Sequence, residues 1–435
     1  MLSNFKLQTL KQKLWAIVAA SFVARVIMFF VLPNTPSSLA PDEGTYALLT
    51  KWIGDSNPAN LFPIYGERLY LSGRAIIYPA SLLYRAGLDE LTAARLISSL
   101  YGFSALVLIV VWILKVFNIQ KESQERLTRN EKLISALVLI FAFIPSHFLW
   151  SNLALRESST EFWVIATFMA FLITYSQQKK ITVVGLFSIF ASIVLTFSSR
   201  PQVGWVLGVS LVSYLILNLR NPLTYFLIPI VIGGVLFGAT LNTVDTAVDT
   251  AVDTRRELSE LFSPLVDAGE VVSTKHLNNQ EYATSVIETQ SCPRETTALA
   301  SSPSTKFDTY FCIAWRAPYM VSTFLFRPIL GLDATSTSSL LAAFENLAWV
   351  SFFLIIFGLL IRRRRITFLN PLLPTLIFLS LYVLGASAYQ GNMGTGFRHK
   401  SLILWAVLLV IFALAWRKLD EPMENPQSNS QENAV

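Results

Sequence analysis

Residues 181–241 read ITVVGLFSIFASIVLTFSSRPQVGWVLGVSLVSYLILNLRNPLTYFLIPIVIGGVLFGATL. Three apolar runs, 181–199, 202–218 and 223–241, follow one another here with only a few polar residues between them. Each run has the roughly 17–25 residues that a helix needs to cross the hydrocarbon core of a bilayer. The stretch therefore predicts three consecutive transmembrane helices and an all-α polytopic membrane protein.

The composition of the whole chain agrees with this prediction. Of its 435 residues, 53% are hydrophobic and only 14% are charged, whereas a soluble domain carries about 25% charged residues. Such a deficit is typical of helices whose entire circumference faces lipid or other helices. The net charge of +6 does not indicate a nucleic-acid partner, because the Lys and Arg residues are dispersed between apolar runs.

The same length criterion predicts ten transmembrane helices in the chain. The predicted spans are 14–32, 93–117, 133–151, 159–176, 181–199, 202–218, 223–241, 341–361, 367–388 and 401–416. The first run is too long for the apolar region of a signal peptide and lacks a small-residue cleavage site, so we expect it to be retained.

These spans divide the chain into four regions. Residues 1–241 form an N-terminal transmembrane region that includes a first outer loop, 33–92. Residues 242–339 form an extracytoplasmic loop subdomain, rich in Ser, Thr, Glu and Pro. Residues 340–418 form a C-terminal transmembrane region, and the polar tail 419–435 is predicted to be disordered.

Basic residues at the ends of the runs predict the orientation. With ten spans, the basic residues that flank the runs fall on one side, which the positive-inside rule identifies as the cytoplasm. They are Lys6, Lys11, Lys13, Lys115, Lys121, Arg126, Arg129, Lys132, Lys179, Lys180, Arg220, Arg362 to Arg365, Arg417 and Lys418. We therefore expect a multi-pass protein of the cytoplasmic (inner) membrane with both termini in the cytoplasm.

The first outer loop contains two segments, about 42–53 and 74–87, that we expect to lie at the membrane interface. The second segment is apolar but too short to span comfortably. If it did span, every later helix would be inverted, and the distribution of basic residues opposes that alternative.

The long loop contains two features of its own. Its first residues, TVDTAVDTAVDT (243–254), would place three Asp residues on one helix face. The three carboxylates on this face would either be exposed to solvent or bind cations. The two cysteines of the chain, Cys292 and Cys312, also lie in this loop. They form a disulfide if the loop lies in an oxidising compartment, and are otherwise two unpaired thiols.

A second set of basic residues lies on the predicted outer side, where the insertion bias does not explain them. The set comprises Arg68, Arg74, Arg85, Arg95, Arg156, Arg200, Arg327, Arg398, His399 and Lys400. Arginine binds phosphate through two parallel hydrogen bonds, so their clustering indicates a shared anionic ligand. Local carboxylates or lipid headgroups are the alternative partners.

Acidic residues accompany this set. Asp42 and Glu43 lie shortly after the first span, in the first outer loop. Glu157 adjoins Arg156, and Glu345 lies near the start of the eighth span. Asp42 is also a suitable N-cap residue, because Asp is frequent at that position. The sequence contains no cluster of His and Cys with metal-ligand spacing, no P-loop and no dinucleotide fingerprint.

A first span followed by an outer Asp-Glu pair, here Asp42-Glu43 and then Tyr46, resembles the GT-C superfamily of membrane glycosyltransferases. The two interfacial segments and Arg95 in LTAARLISSL also resemble that family. The stretches LALRESSTEF (153–162), FLFRPI and AAFENL (within 324–347), and GNMGTGFRHK (391–400) are similar to relatives from bacterial polysaccharide clusters. The resemblance in the order of spans and loops extends over most of the chain, whereas the matching sequence motifs are short.

The resemblance implies transfer of a sugar from a polyprenyl-phosphate-type lipid to a glycan, lipid or protein acceptor, with inversion and outside the cytoplasm. Asp42 would be the general base, and Glu43 would orient it or bind the acceptor. Tyr46, Glu157 and Glu345 would bind the acceptor or orient other groups. The donor phosphate would be bound by Arg398, His399, Lys400, Arg200, Arg156 and Arg327. Some relatives use a divalent metal, for which this sequence has no dedicated ligand set.

Two other functional classes remain open. An O-antigen or exopolysaccharide polymerase or ligase would depend on outer arginines rather than on Asp42. A transporter of lipid-linked sugars would move its substrate without a covalent product, and it would often contain paired repeats, which are not evident here.

Overall fold

The computed structural model describes residues 2–37, 40, 42–57, 73–116, 124–176, 182–219, 223–247, 317–318, 321–330, 337–362, 372–389 and 393–416. Every regular element in these ranges is helical, which confirms the predicted all-α class. The helices are α1 (Leu2–Val31), α2 (Asp42–Gly54), α3 (Arg74–Arg85), α4 (Glu90–Val116), α5 (Gln124–Phe143), α6 (Pro145–Asn152), α7 (Glu157–Ser176), α8 (Val183–Ser199), α9 (Pro201–Leu217), α10 (Leu223–Ala247), α11 (Thr337–Arg362), α12 (Leu373–Tyr389) and α13 (Met393–Trp416).

Several predictions concern residues outside these ranges. They are Arg68, the possible Cys292–Cys312 disulfide, the acidic repeat beyond residue 247 and the tail after Leu419.

Five of the described helices are long and apolar enough to cross a membrane, namely α1, α4, α10, α11 and α13. Helices α5 and α6 meet at a 42° bend and together make a sixth candidate. The bend lies where Pro145 begins α6, since proline cannot continue the hydrogen-bond ladder of α5. Each of the ten predicted runs overlaps one of the described helices.

Helix α13 lies at the centre of the bundle, where it packs against α5, α6, α7, α11 and α12. In the apolar stretch Phe397–Ala415, buried residues make up 89% of the apolar window. The corresponding share is 22–44% in the other four long candidates. Trp405 of α13 stacks against Trp112 of α4 and Phe168 of α7. A helix that is apolar on all sides and covered by protein is expected at the core of a membrane bundle.

Helices α8, α9 and α10 form a closely packed group at the side of the bundle. A Cβ atom added at Gly208 of α9 would lie 2.4 Å from the Val235 side chain of α10, and one at Gly238 would lie 2.7 Å from Phe197. Small residues at such points allow helices to approach closely, which is how helices associate in a membrane.

The predicted element boundaries need two corrections. Helix α10 continues through the predicted domain boundary to Ala247, and so includes the start of the acidic repeat. The segment 389–400, predicted as a connection between two spans, is helical from Met393 onward.

The two predicted interfacial segments are confirmed as helices. Helix α3 has 12 residues, so it rises about 18 Å, which is short of the roughly 30 Å hydrocarbon core. Its buried face, which includes Ile76 and Ile77, packs on α2 and α4, whereas Tyr78 and Leu82 are exposed. Helices α2 and α3 therefore cover one end of the bundle, which we call the Asp42 end.

Candidate functional site

Five charged side chains from distant parts of the sequence meet at the Asp42 end. They are Asp42 at the start of α2, Arg156 and Glu157 at the start of α7, Arg200 between α8 and α9, and Arg398 near the start of α13. We refer to them as the charged cluster. With three arginines and two carboxylates it carries one net positive charge, which favours an anionic ligand.

Asp42 and Arg398 form the most accessible part of the charged cluster. The Arg398 guanidinium donates a hydrogen bond of 2.9 Å from Nη2 to Asp42 Oδ2. The Asp42 side chain is 46% exposed, whereas that of Arg398 is 13% exposed. Asp42 lies in the first turn of α2, where the helix dipole also stabilises a carboxylate. A base that reaches solvent thus lies beside a cation that is held within the protein.

Glu157 and Arg200 form the buried part. Arg200 is the single residue between Ser199, which ends α8, and Pro201, which begins α9. Proline suits the first position of a helix, so the chain reverses here within one extended residue. The Arg200 side chain consequently lies at the end of the bundle, where Nη2 donates to Glu157 Oε1 at 3.3 Å.

Two tyrosines complete this part of the site. Tyr46 of α2 is buried, and the charges of Arg156 and Glu157 act on its hydroxyl. Burial raises the pKa of this hydroxyl above its ordinary value, so it remains a proton donor at neutral pH. Tyr382 of α12 interacts electrostatically with Arg200 and Glu157. Nothing in the sequence around Tyr382 indicates this role beyond its aromatic type.

Glu43, predicted as a catalytic partner of Asp42, is fully buried and extensively hydrogen-bonded. It accepts two hydrogen bonds from Arg95, at 2.6 and 2.9 Å, and further bonds from the backbone N–H groups of Ser37 and Ala154. Arg95 also donates to the carbonyl oxygens of Pro33 and Thr35. Glu43 therefore joins α2 to α4, to the connection between α1 and α2, and to the connection before α7.

Lys400, predicted as a phosphate ligand, is also fully buried. Its ammonium group donates to the carbonyl oxygens of Leu325 and Arg327, at 3.2 and 2.9 Å, and to Asn346 Oδ1 at 2.6 Å. These bonds use all three of its protons. Lys400 lies two residues after Arg398, which places it on the opposite side of α13.

Glu345 and Asn346 of α11 belong to the same structural region as Lys400. Glu345 accepts hydrogen bonds from the Ser146 N–H group and from the Trp349 indole, at 2.7 and 3.1 Å. Asn346 donates to the Pro328 carbonyl at 2.7 Å. Residues 321–330 are thus held against α11 and α13. Arg327 contributes its backbone carbonyl oxygen to this region, where it accepts the hydrogen bond from Lys400.

A buried polar chain that sequence reasoning missed lies further inside the bundle. Arg25 of α1 contacts His147 Nε2 at 3.3 Å and also bonds to Ser151 of α6. His147 Nδ1 is 2.8 Å from Glu161 Oε2 of α7. The available signal was a charged residue, Arg25, within the first apolar run.

Within the described part of the chain, no group of three or more His, Cys, Asp or Glu side chains is placed to hold a metal ion. The structure thus brings together Asp42, Tyr46, Arg156, Glu157, Arg200 and Arg398, and assigns Glu43, Glu345 and Lys400 to buried contacts between helices. In comparisons with protein-family models, with curated proteins and with solved structures, no significant match to this chain is found.

Proposed function

We propose that this protein is an inverting membrane glycosyltransferase that moves a sugar from a polyprenyl-phosphate-type donor to an acceptor hydroxyl on the extracytoplasmic face. The observation that carries the proposal is the half-exposed Asp42 carboxylate, 2.9 Å from the largely buried Arg398. The reaction requires a base that deprotonates the acceptor hydroxyl and a cation that stabilises the departing phosphate, and these two groups lie side by side here.

In the proposed reaction, Asp42 removes the proton of the acceptor hydroxyl. The acceptor oxygen attacks the anomeric carbon from the face opposite the donor phosphate. As the new C–O bond forms, the bond to the phosphate oxygen breaks, and the lipid phosphate leaves with the electron pair. Arg398 stabilises the charge that develops on this phosphate, aided by Arg156, in a site partly shielded from water.

The proposal includes ten transmembrane helices with both termini in the cytoplasm. The ten predicted spans each overlap a described helix. In this proposed arrangement the charged cluster would lie at the extracytoplasmic ends of its helices, because every second span, including α7, α9, α11 and α13, would run from the outside to the cytoplasm. A lipid donor anchored in the outer leaflet could then bring its phosphate to the cluster.

The test measures sugar release or transfer by purified protein in lipid nanodiscs. Polyprenyl-phosphate sugars with different sugar groups are offered to the wild type, Asp42→Asn and Asp42→Ala. We expect slow turnover by the wild type and at least a 100-fold decrease in both variants, since general-base catalysis contributes about 10²–10⁴-fold. Asp55→Asn, which removes an exposed carboxylate just after α2, is the control. Equal turnover in wild type and Asp42 variants would show that this assignment is wrong.

A glycan polymerase or ligase is the second candidate, and the convergence of Arg156, Arg200 and Arg398 favours it. Such an enzyme would depend on these arginines and would retain activity in Asp42→Asn. Comparing Asp42→Asn with Arg398→Gln on lipid-linked oligosaccharide substrates separates the two candidates. Movement of the lipid-linked sugar across the bilayer without a covalent product would instead indicate a transporter.

A further inference from the structure

Each side chain of the buried ion pair in the charged cluster leaves one polar atom without a hydrogen bond. A carboxylate and a guanidinium commonly form two parallel hydrogen bonds. Here Glu157 and Arg200 share one contact of 3.3 Å, between Oε1 and Nη2. The other two atoms, Glu157 Oε2 and Arg200 Nη1, have no hydrogen-bond partner among the described residues. Because these residues are only 3% and 6% exposed, leaving the two atoms unpaired is costly, and a bound group that supplies hydrogen bonds would be favoured.

A third polar atom without a partner belongs to His399. Its Nε2 atom is shielded from solvent and has no hydrogen-bond partner within the described ranges. His399 follows Arg398 directly, and it lies near enough to Arg200 and Arg156 for their charges to act on it. The Tyr382 hydroxyl, which interacts with Arg200, also reaches the His399 carbonyl oxygen at 3.4 Å. The three unpartnered atoms therefore belong to one region of the protein.

The chemistry of these atoms restricts the ligand that could bind them. Glu157 Oε2 is a negatively charged acceptor, Arg200 Nη1 is a donor, and a neutral imidazole nitrogen can do either. A phosphate oxygen would be repelled by the carboxylate. A hydroxyl group both donates and accepts a hydrogen bond, so neighbouring hydroxyls on one ring can satisfy all three atoms.

We propose that Glu157, Arg200 and His399 form a hydroxyl-binding subsite that holds the sugar ring of the donor, while Arg398 binds its phosphate. One sugar hydroxyl donates to Glu157 Oε2, and a second accepts from Arg200 Nη1. This inference rests on the proposed function, and it changes the sequence-based expectation that Arg200 and His399 bind phosphate. It makes these residues determinants of which sugar is accepted.

The test compares the affinities of full-length protein in nanodiscs for two kinds of lipid. The probes are undecaprenyl phosphate and the same lipid carrying glucose, mannose, galactose or arabinose on its phosphate. For the wild type we expect at least one sugar to increase the affinity about tenfold, the effect of one additional hydrogen bond to a charged group. We expect Glu157→Gln to lose this increase and to bind bare undecaprenyl phosphate as well as the wild type or better.

Three variants serve as controls. Arg398→Gln should weaken the binding of bare and sugar-bearing lipids alike. Glu90→Gln, which neutralises a carboxylate in the first turn of α4, should change neither. If Glu157→Gln does not fold, as judged by its thermal unfolding, His399→Leu replaces it, with a partial loss of the sugar-dependent increase expected.

The proposal is overturned if no sugar increases the affinity of the wild type, or if the Glu157 and His399 variants keep the increase. It is also overturned if those variants weaken the binding of bare and sugar-bearing lipids equally. Sugar-dependent binding without turnover by the wild type would support the subsite and oppose the glycosyltransferase. Asp42-dependent turnover without a sugar-dependent increase would support the enzyme and overturn the subsite.

Discussion

Asp42 and Glu43 are adjacent in sequence, yet their carboxylates have opposite environments. Consecutive residues of a helix point about 100° apart, so one of the two can face the site while the other faces the protein interior. The Asp42 side chain is 46% exposed and that of Glu43 is fully buried. The predicted catalytic pair therefore separates into a candidate base and a residue that joins helices.

At Glu43 we predict an effect on stability. Glu43→Gln removes the charge that pairs with the buried Arg95, and breaking a buried ion pair destabilises by about 3–5 kcal/mol. The thermal unfolding temperature of the purified protein should therefore fall markedly. Asp42→Asn is the matched control, because its carboxylate is half exposed and its unfolding temperature should change little. Similar unfolding temperatures for the two variants would contradict the structural role of Glu43.

At Asp42 we predict an effect on binding that is independent of catalysis. The Asp42 carboxylate competes with a lipid phosphate for Arg398, so Asp42→Asn should bind undecaprenyl phosphate more tightly than the wild type. The increase should not exceed about fivefold, because an exposed ion pair contributes about 0.2–1 kcal/mol. Titration of both proteins in nanodiscs measures the difference. Weaker binding by Asp42→Asn would exclude this competition.

Among the structural elements, the segment 321–330 is attached to the bundle through Lys400. Lys400→Met keeps the length of the side chain but leaves three buried acceptors without a donor. We expect a loss of about 3 kcal/mol or more, since each unpaired buried acceptor costs about 1–3 kcal/mol. Limited proteolysis should then cleave near 321–330 earlier, and Lys51→Met on the exposed face of α2 is the control.

The same variant tests the sequence-based role of Lys400. The folded fraction of Lys400→Met should bind undecaprenyl phosphate within twofold of the wild type, because the ammonium group is fully used within the protein. A tenfold loss of affinity would restore Lys400 as a phosphate ligand.

Helices α1, α6 and α7 are joined by His147. Arg25 cannot accept a hydrogen bond, so His147 Nε2 must accept, and Nδ1–H then donates to Glu161. His147→Gln offers one acceptor and one donor and should unfold near the wild-type temperature. His147→Leu offers neither and should lose about 3 kcal/mol or more, because the buried Arg25 and Glu161 side chains each lose a hydrogen-bond partner. Equal unfolding temperatures for the two variants would show that this bridge does not hold the helices.

For the whole molecule, the testable feature is its orientation in the membrane. The ten proposed spans would place the C-terminus in the cytoplasm and the residues after α10 outside. Green fluorescent protein fused after residue 435 should therefore fluoresce, and alkaline phosphatase inserted after residue 247 should be active. The reverse pattern at either position would show that the number of spans differs, with the segment 74–87 as the first alternative.

The sequence by itself determined the all-α class and the positions of the apolar helices. These are local properties, because a bilayer requires an uninterrupted apolar run and every backbone group must bond within its own helix. The short helices α2 and α3 were predicted for a similar reason, since neither apolar segment is long enough to span a bilayer. The sequence also indicated that Arg156, Arg200 and Arg398 were unusual for their predicted side of the membrane, and it named Asp42 and Glu157 as accompanying acidic candidates.

Only the tertiary structure decided which of these charges meet. Arg398 pairs with Asp42 across 356 positions of sequence, and Arg200 pairs with Glu157 across 43 positions. Whether a charged side chain faces a site or a helix interface depends on how neighbouring helices are rotated and packed. That rotation follows from contacts among many side chains, so no single stretch of sequence encodes it.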